Sequence, residues 1–224
     1  AIELLADGQP IYYTGGSGGY EEGKKLAQTW ADYINYEMEH GSLDFKIEEA
    51  LGELAKELGV YIIAQMVAKD PELMEDRVFN IAFVIDPQGR VIHKHYKTAF
   101  YQREPNTAPS DIWNIYLKKH GDDPLRLFQA IFPVARTEIG NIGTLICAEG
   151  SYPEAARGLA LNGAEIIWRT QYPEPWMGNG IAEIQNRAHA VFNNCYVLAP
   201  NIGAIYFPGG VHQMSCGKSQ IIDY

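Results

Sequence analysis

The chain has 224 residues, with 28 acidic side chains against 18 basic ones and a net charge of −10 at neutral pH. That balance, with no Lys/Arg run anywhere, excludes a phosphate-neutralising surface, so no nucleic acid partner is expected. A hydrophobic fraction of 46% with 12% aromatics excludes whole-chain disorder, and the length suits one domain with a large core.

In chain order, Thr14-Gly-Gly-Ser-Gly-Gly19 reads as a flexible glycine run. Glu21 to Glu39 carries Leu26, Trp30, Tyr33, Ile34 and Met38 at roughly helical spacing, which predicts an amphipathic helix. From Phe45, Ile47, Ala50, Leu51, Leu54, Ala55 and Leu58 recur at three and four residues, and Gly59 ends that helix where a left-handed cap is wanted. Val60 to Ala64 follows as a short buried strand. Phe79 to Asp86 and Val91 to Tyr96 flank Pro87-Gln88-Gly89 and predict a hairpin. Asp111 to His120 reads as a helix, and Ile139 to Ile146 as a pair of short strands turning at Gly140-Asn141.

After Cys147, Ala155, Ala156, Leu159 and Ala160 make a short helix ended by Asn162-Gly163. Glu165 to Arg169 is a strand, Ile181 to Phe192 a helix, and Tyr196 to Asn201 and Ser219 to Asp223 are strands. Strand and helix alternate without a repeat, so the expected class is a layered α/β sandwich.

No apolar run approaches the roughly 20 residues that span a bilayer, so no membrane association is expected. The opening Ala1-Ile-Glu-Leu-Leu-Ala-Asp-Gly8 lacks the basic region of a signal peptide. Three cysteines, Cys147, Cys195 and Cys216, with no C-x-x-C pair point to free thiols and a cytoplasmic setting.

Cys147 carries the chemical argument. It ends the strand-like Gly143-Thr-Leu-Ile-Cys147 and precedes a helix start in which Ser151 and Glu154 have capping-box spacing and Pro153 suits the first turn. A cysteine near such a positive helix end, with a lysine in reach, has its thiolate stabilised. The bland alternative is an inert core cysteine, which is the better reading of Cys195 and Cys216, since neither precedes a capped helix.

The run Gly143-Thr-Leu-Ile-Cys147-Ala-Glu149-Gly-Ser-Tyr-Pro-Glu-Ala-Ala-Arg157-Gly-Leu-Ala-Leu-Asn-Gly163 resembles the nucleophile segment of the nitrilase, or carbon–nitrogen hydrolase, superfamily. Phe79 to Lys97 is similar to the hairpin that ends in that family's catalytic lysine. Counting eight residues from Gly89 selects Lys97, with Lys94 the poorer candidate. Asn186-Arg187 through Asn201 and Gly217 to Asp223 resemble later family segments, so the likeness covers Phe45 to Tyr224.

The resemblance implies a four-layer α-β-β-α sandwich, a single hydrolase domain over residues 1–224, and cleavage of a small amide, carbamoyl compound or nitrile through a cysteine thioester or thioimidate. It implies no cofactor, a small-molecule substrate, and a homo-oligomer of two or more copies. Cys147 would be the nucleophile, with Lys97 and the backbone N–H of Ala148 stabilising the charge that develops. The family's general base is a glutamate ending an N-terminal core strand, and no such strand or motif is expected before Phe45; the C-terminus also stops early. Both departures suggest a fragment or missing segments. Glu104, between the lysine and the cysteine, matches an assisting glutamate, and Glu21 and Glu22 are weaker candidates.

Glu149 suits pocket or structural hydrogen bonding better than base catalysis, while Trp168, Thr170 and Gln171 end a strand where ligands bind open sheets. Two rival readings stand beside the hydrolase. One is a metal site on His93-Lys-His95 with His189 or His212, although no third ligand has motif spacing; the expectation is no metal. The other is a non-catalytic relative that binds a ligand.

Overall fold

Gly59, at φ 65°, closes the first helix. The computed structural model describes residues 13–16, 33–38, 46–101, 104–170, 180–201, 204–207, 210–214 and 217–224. In chain order these form β1 (Tyr13–Gly16), β2 (Tyr33–Met38), α1 (Lys46–Leu58), β3 (Ile62–Asp70), β4 (Met74–Ile85) and β5 (Val91–Tyr96). A 3-10 turn (Pro109–Ile112) leads into α2 (Trp113–His120), then α3 (Pro124–Ile131), β6 (Val134–Ala135) and β7 (Ile142–Ile146). A second 3-10 turn (Cys147–Ser151) opens into α4 (Pro153–Leu161), followed by β8 (Ile166–Thr170), α5 (Ile181–Asn193), β9 (Tyr196–Ala199), β10 (Ala204–Phe207), β11 (Gly210–Met214) and β12 (Gln220–Ile222).

The strands make two five-stranded sheets, ordered β1-β2-β3-β4-β5 and β12-β9-β8-β7-β6, and a separate β10-β11 hairpin. One face of the first sheet packs Met66, Phe79, Phe83 and Ile85 against Leu51 and Ala55 of α1 and Tyr116 of α2. One face of the second packs Leu145, Ile167 and Val197 against Ala156 and Leu159 of α4 and Ala190 of α5. The opposite faces meet each other: Ile63, Ala82 and Val84 touch Ile142, Ile146, Ile166 and Trp168. Each large apolar side chain buried this way contributes about 1.5–3 kcal/mol. α1 reaches the hairpin turn through two glycines, since a Cβ on Gly52 would sit 2.8 Å from the Gly89 carbonyl oxygen.

Several expectations need correction. Tyr33–Met38 is a strand where a helix over Glu21 to Glu39 was expected, and β1 takes up part of the glycine run, so two strands precede Phe45 where none was expected. Tyr33-Ile-Asn-Tyr36 has β-forming composition, and parallel pairing with β1 and β3 supplies the backbone partners that helical spacing alone does not. The hairpin expected at Gly140-Asn141 instead pairs β6 with β7, and Ile139 lies in the exposed turn between them. The β3-β4 hairpin, α3 and the β10-β11 hairpin were not foreseen. No helix among the described residues is long and apolar enough to cross a membrane.

Candidate active site

β5 alternates its side chains across the first sheet. His93 and His95 point toward the second sheet, His93 Nε2 lying 3.0 Å from Thr144 Oγ1 and His95 Nε2 2.8 Å from Glu149 Oε2. Lys94 and Tyr96 point the other way, where Asp70 Oδ2 accepts from Lys94 Nζ at 3.1 Å and from Tyr96 Oη at 2.6 Å. Lys97 continues the ladder, its N–H donating to the Asn80 carbonyl at 2.9 Å, and so takes the side of His93 and His95. Of the two candidate lysines, Lys97 is thus on the face toward Cys147, and Lys94 is not.

Lys97 is fully buried, and its ammonium donates to both oxygens of Glu104 at 2.9 and 2.8 Å. The Tyr101 N–H also donates to Glu104 Oε1, at 2.8 Å. Glu104, at 12% side-chain exposure, therefore serves the lysine directly.

Cys147 follows β7 directly, opens the 3-10 turn and is half-buried, with a left-handed backbone at φ 50°. Such a conformation is strained for a residue with a side chain and persists only where its surroundings enforce it. The expected Ser151 cap is corrected: α4 starts at Pro153 with Tyr152 as its N-cap and no side-chain cap bond. The carboxylate that caps is Glu149, accepting the Ile146 N–H at 2.7 Å at the start of the 3-10 turn.

Glu149 ties the two halves together. Its Oε1 accepts the Thr98 N–H at 2.7 Å and the Thr98 hydroxyl at 2.6 Å, and its Oε2 accepts from Ile146 and His95. The residue before Cys147 and the residue after Lys97 are bonded to one carboxylate, which is 1% exposed. Burial alone would raise its pKa, but the His95 charge and the hydrogen bonds from His95 and Thr98 outweigh burial and hold it below the ordinary carboxyl value. His93 is pushed down to about 3, chiefly by burial and then by the neighbouring His95 charge, so it is neutral at physiological pH.

Behind the turn, Gly150 is held by α5, whose His189 Nε2 donates to the Gly150 carbonyl at 2.7 Å. Ala148 is half-buried in the turn. Trp168 is buried in the cluster that includes Ile146 and Cys147, and Thr170 is fully buried, with no hydrogen-bond partner for its hydroxyl among the described residues. Gln171 and Cys216 lie outside the described residues, as do Glu21, Glu22 and the side chain of His212. Cys195 is buried, its thiol donating to the Ala164 carbonyl at 3.0 Å, and burial raises its pKa. The imidazoles of His93, His95 and His189 are engaged elsewhere, and no group of three or more metal-ligating side chains occurs among the described residues.

Two residues escaped the sequence reading. Arg169 is fully buried beside the Cys147 turn. Glu37 stands on β2 at the register position of Gln65; its signal in the sequence is an acid at the end of the Tyr33-Ile-Asn-Tyr36 run, hidden by the helical spacing of the same segment.

The chain is 29% identical over 169 residues to the probable hydrolase nit2 of Schizosaccharomyces pombe, covering 72% of this chain and 55% of that protein. It is 31% identical over 171 residues to a formamidase of Bacillus cereus, covering 72% of this chain and 44% of that one. It thus spans about half the length of these relatives. The fold matches Saccharomyces cerevisiae Nit3, of branch 10 of the nitrilase superfamily, with a TM-score of 0.66 at 17% identity over 95% of this chain and 80% of that one. A family model for carbon–nitrogen hydrolases matches residues 8–223, and the chain belongs to that family.

Proposed function

We propose that this protein hydrolyses the C–N bond of a small primary amide through a Cys147 thioester. The observation that carries the reading is the shared Glu149 carboxylate, which joins the end of the lysine-bearing hairpin to the strand that delivers Cys147. The Cys147 thiolate attacks the amide carbon, and Lys97 with the Ala148 N–H stabilises the oxyanion. Collapse breaks the C–N bond, the nitrogen leaves as ammonia with a proton from a general acid, and water then releases the carboxylic acid and the free thiol. This chemistry asks for no cofactor.

Glu104 aligns and charge-balances Lys97 and assists rather than acting as base, because both its oxygens already accept from the ammonium. Glu37 is the base on this reading, since β2 is the core strand that the family pattern requires. Ala148, Glu149, Trp168 and Thr170 frame the substrate end, with Glu149 as its strut, and Gln171 is assigned to it only by its place in the sequence after β8.

The face-to-face packing of the two sheets, with helices on their outer faces, supports a four-layer α-β-β-α sandwich. The exposed apolar residues Ile184, Val191 and Phe192 on α5 and Leu161 on α4 support a homo-oligomer that covers them with a second copy. Reduced thiols suit a cytoplasmic setting.

The test is intact-protein mass after mixing with a panel of small amides and nitriles. An acyl adduct on wild type and on Cys195→Ala, absent from Cys147→Ala, is the expected result. Undiminished turnover by Cys147→Ala sinks the reading. Glu37→Gln is expected to lower the rate of acylation at least 100-fold.

A further inference from the structure

Arg169 is the bulkiest completely buried side chain among the described residues, and it sits behind the nucleophile turn on the α5 side of β8. Its Nη2 donates to the Cys147 carbonyl at 3.4 Å and to Gln185 Oε1 at 3.0 Å, while Nη1 donates to Asn186 Oδ1 at 2.7 Å. Gln185 in turn donates to Ser151 Oγ at 3.3 Å. The turn is shaped around this guanidinium: a Cβ on Gly150 would lie 1.9 Å from Arg169 Nε. An arginine cannot shed its proton to escape burial, so the charge is permanent.

We infer that Arg169 is a positioning residue for the hydrolase: its guanidinium holds the strained Cys147 backbone from behind and supplies a fixed positive charge that stabilises the Cys147 thiolate. The inference rests on Cys147 being the nucleophile, and it adds a second cation to the one on the hairpin. His95 faces Glu149 and Lys97 faces Glu104 on the hairpin side. On the α5 side is His189, whose pKa is lowered by burial first, raised by the Gly150 carbonyl, and lowered again by Arg169 itself. Arg169 reaches residue 147 at its carbonyl oxygen, at 3.4 Å. An opposite charge a few ångströms away typically moves a pKa by about 1–3 units, so a shift of about one unit is expected here.

The experiment is the pH dependence of iodoacetamide alkylation at Cys147, read by mass of the Cys147 peptide so that Cys195 and Cys216 do not contribute. Arg169→Met is expected to raise the midpoint by about one pH unit, slowing alkylation about tenfold below it. Arg169→Lys is expected to fall between wild type and Arg169→Met, because a buried ammonium can lose its proton where a guanidinium cannot. Should Arg169→Met not fold, Gln185→Glu decides: it is isosteric, only half-buried, and sets a carboxylate against Nη2. It is expected to raise the midpoint and is compared at unchanged circular dichroism. A wild-type midpoint in Gln185→Glu, or in a folded Arg169→Met, overturns the inference. Because alkylation is read at the thiol and not by turnover, an active Cys147→Ala would remove the hydrolase reading and leave this result separately legible.

Discussion

Glu149→Gln is the perturbation whose outcome the structure fixes most tightly. The carboxylate receives four donors, from Thr98 N, Thr98 Oγ1, Ile146 N and His95 Nε2, all between 2.6 and 2.8 Å. An amide in the same place keeps one oxygen, enough for the Thr98 pair, and turns its NH2 toward Ile146 and His95. Two buried donors then lose their acceptor, at about 1–3 kcal/mol each, so a loss of about 4 kcal/mol is expected. For a chain of this size each kcal/mol moves Tm by about 2–4 °C, which gives a fall of about 12 °C by calorimetry. The folded pKa of Glu149 lies below its ordinary value of 4.5, so its contribution is complete above that pH and is lost as pH falls through the folded value. The gap between wild type and variant should therefore narrow below pH 4.5. At neutral pH, kcat should fall by about 100-fold with little change in KM, because a displacement of about 1 Å between lysine and thiol is costly. A variant with Tm within about 2 °C of wild type refutes the strut.

Three further outcomes follow from the same contacts. His93, neutral when folded down to about pH 3, makes wild type lose about 1.4 kcal/mol per pH unit as pH falls below 6.5; His93→Gln should flatten urea midpoints between pH 7 and 5. Gly89→Ala meets both φ 80° and a Cβ 2.5 Å from the Gly52 carbonyl oxygen, and should lower stability by about 3 kcal/mol in urea titration. Ile184→Glu, at a side chain 66% exposed in the single chain, should shift light-scattering mass toward the monomer while leaving Tm of the monomer within a few degrees, as surface substitutions usually do.

Much of the fold could be read because local signals and tertiary structure agree. The apolar spacing of α1, its Gly59 stop and the Pro87-Gln88-Gly89 turn all describe what the chain does within twenty residues of itself. β2 failed because Leu26, Trp30, Tyr33, Ile34 and Met38 fit a helical stripe, while the deciding interaction is pairing with a strand that starts at Ile62. α3 was missed despite a legible start: Asp123 accepts the Arg126 N–H at 2.9 Å and Pro124 occupies the first turn. Its apolar residues sit partly exposed, so no deep periodic face advertised it.

The site divides along the same line. Lys97 and Cys147 stand at element ends, where a turn or a count from Gly89 can find them, but the groups that control them come from far along the chain. His93 and His95 looked like a metal pair because two imidazoles on one strand face carry no hint of what lies opposite. Their partners, Thr144 and Glu149, arrive from the second sheet more than fifty residues later. Arg169 is harder still, since an arginine inside Ile166-Ile-Trp-Arg-Thr170 reads locally as a strand residue reaching for solvent. Its burial depends on Gly150 lacking a side chain and on α5 supplying Gln185 and Asn186 to receive the guanidinium. Reactive groups are visible as residue types in strings, whereas the groups that set their charge are visible only once two sheets have closed on each other.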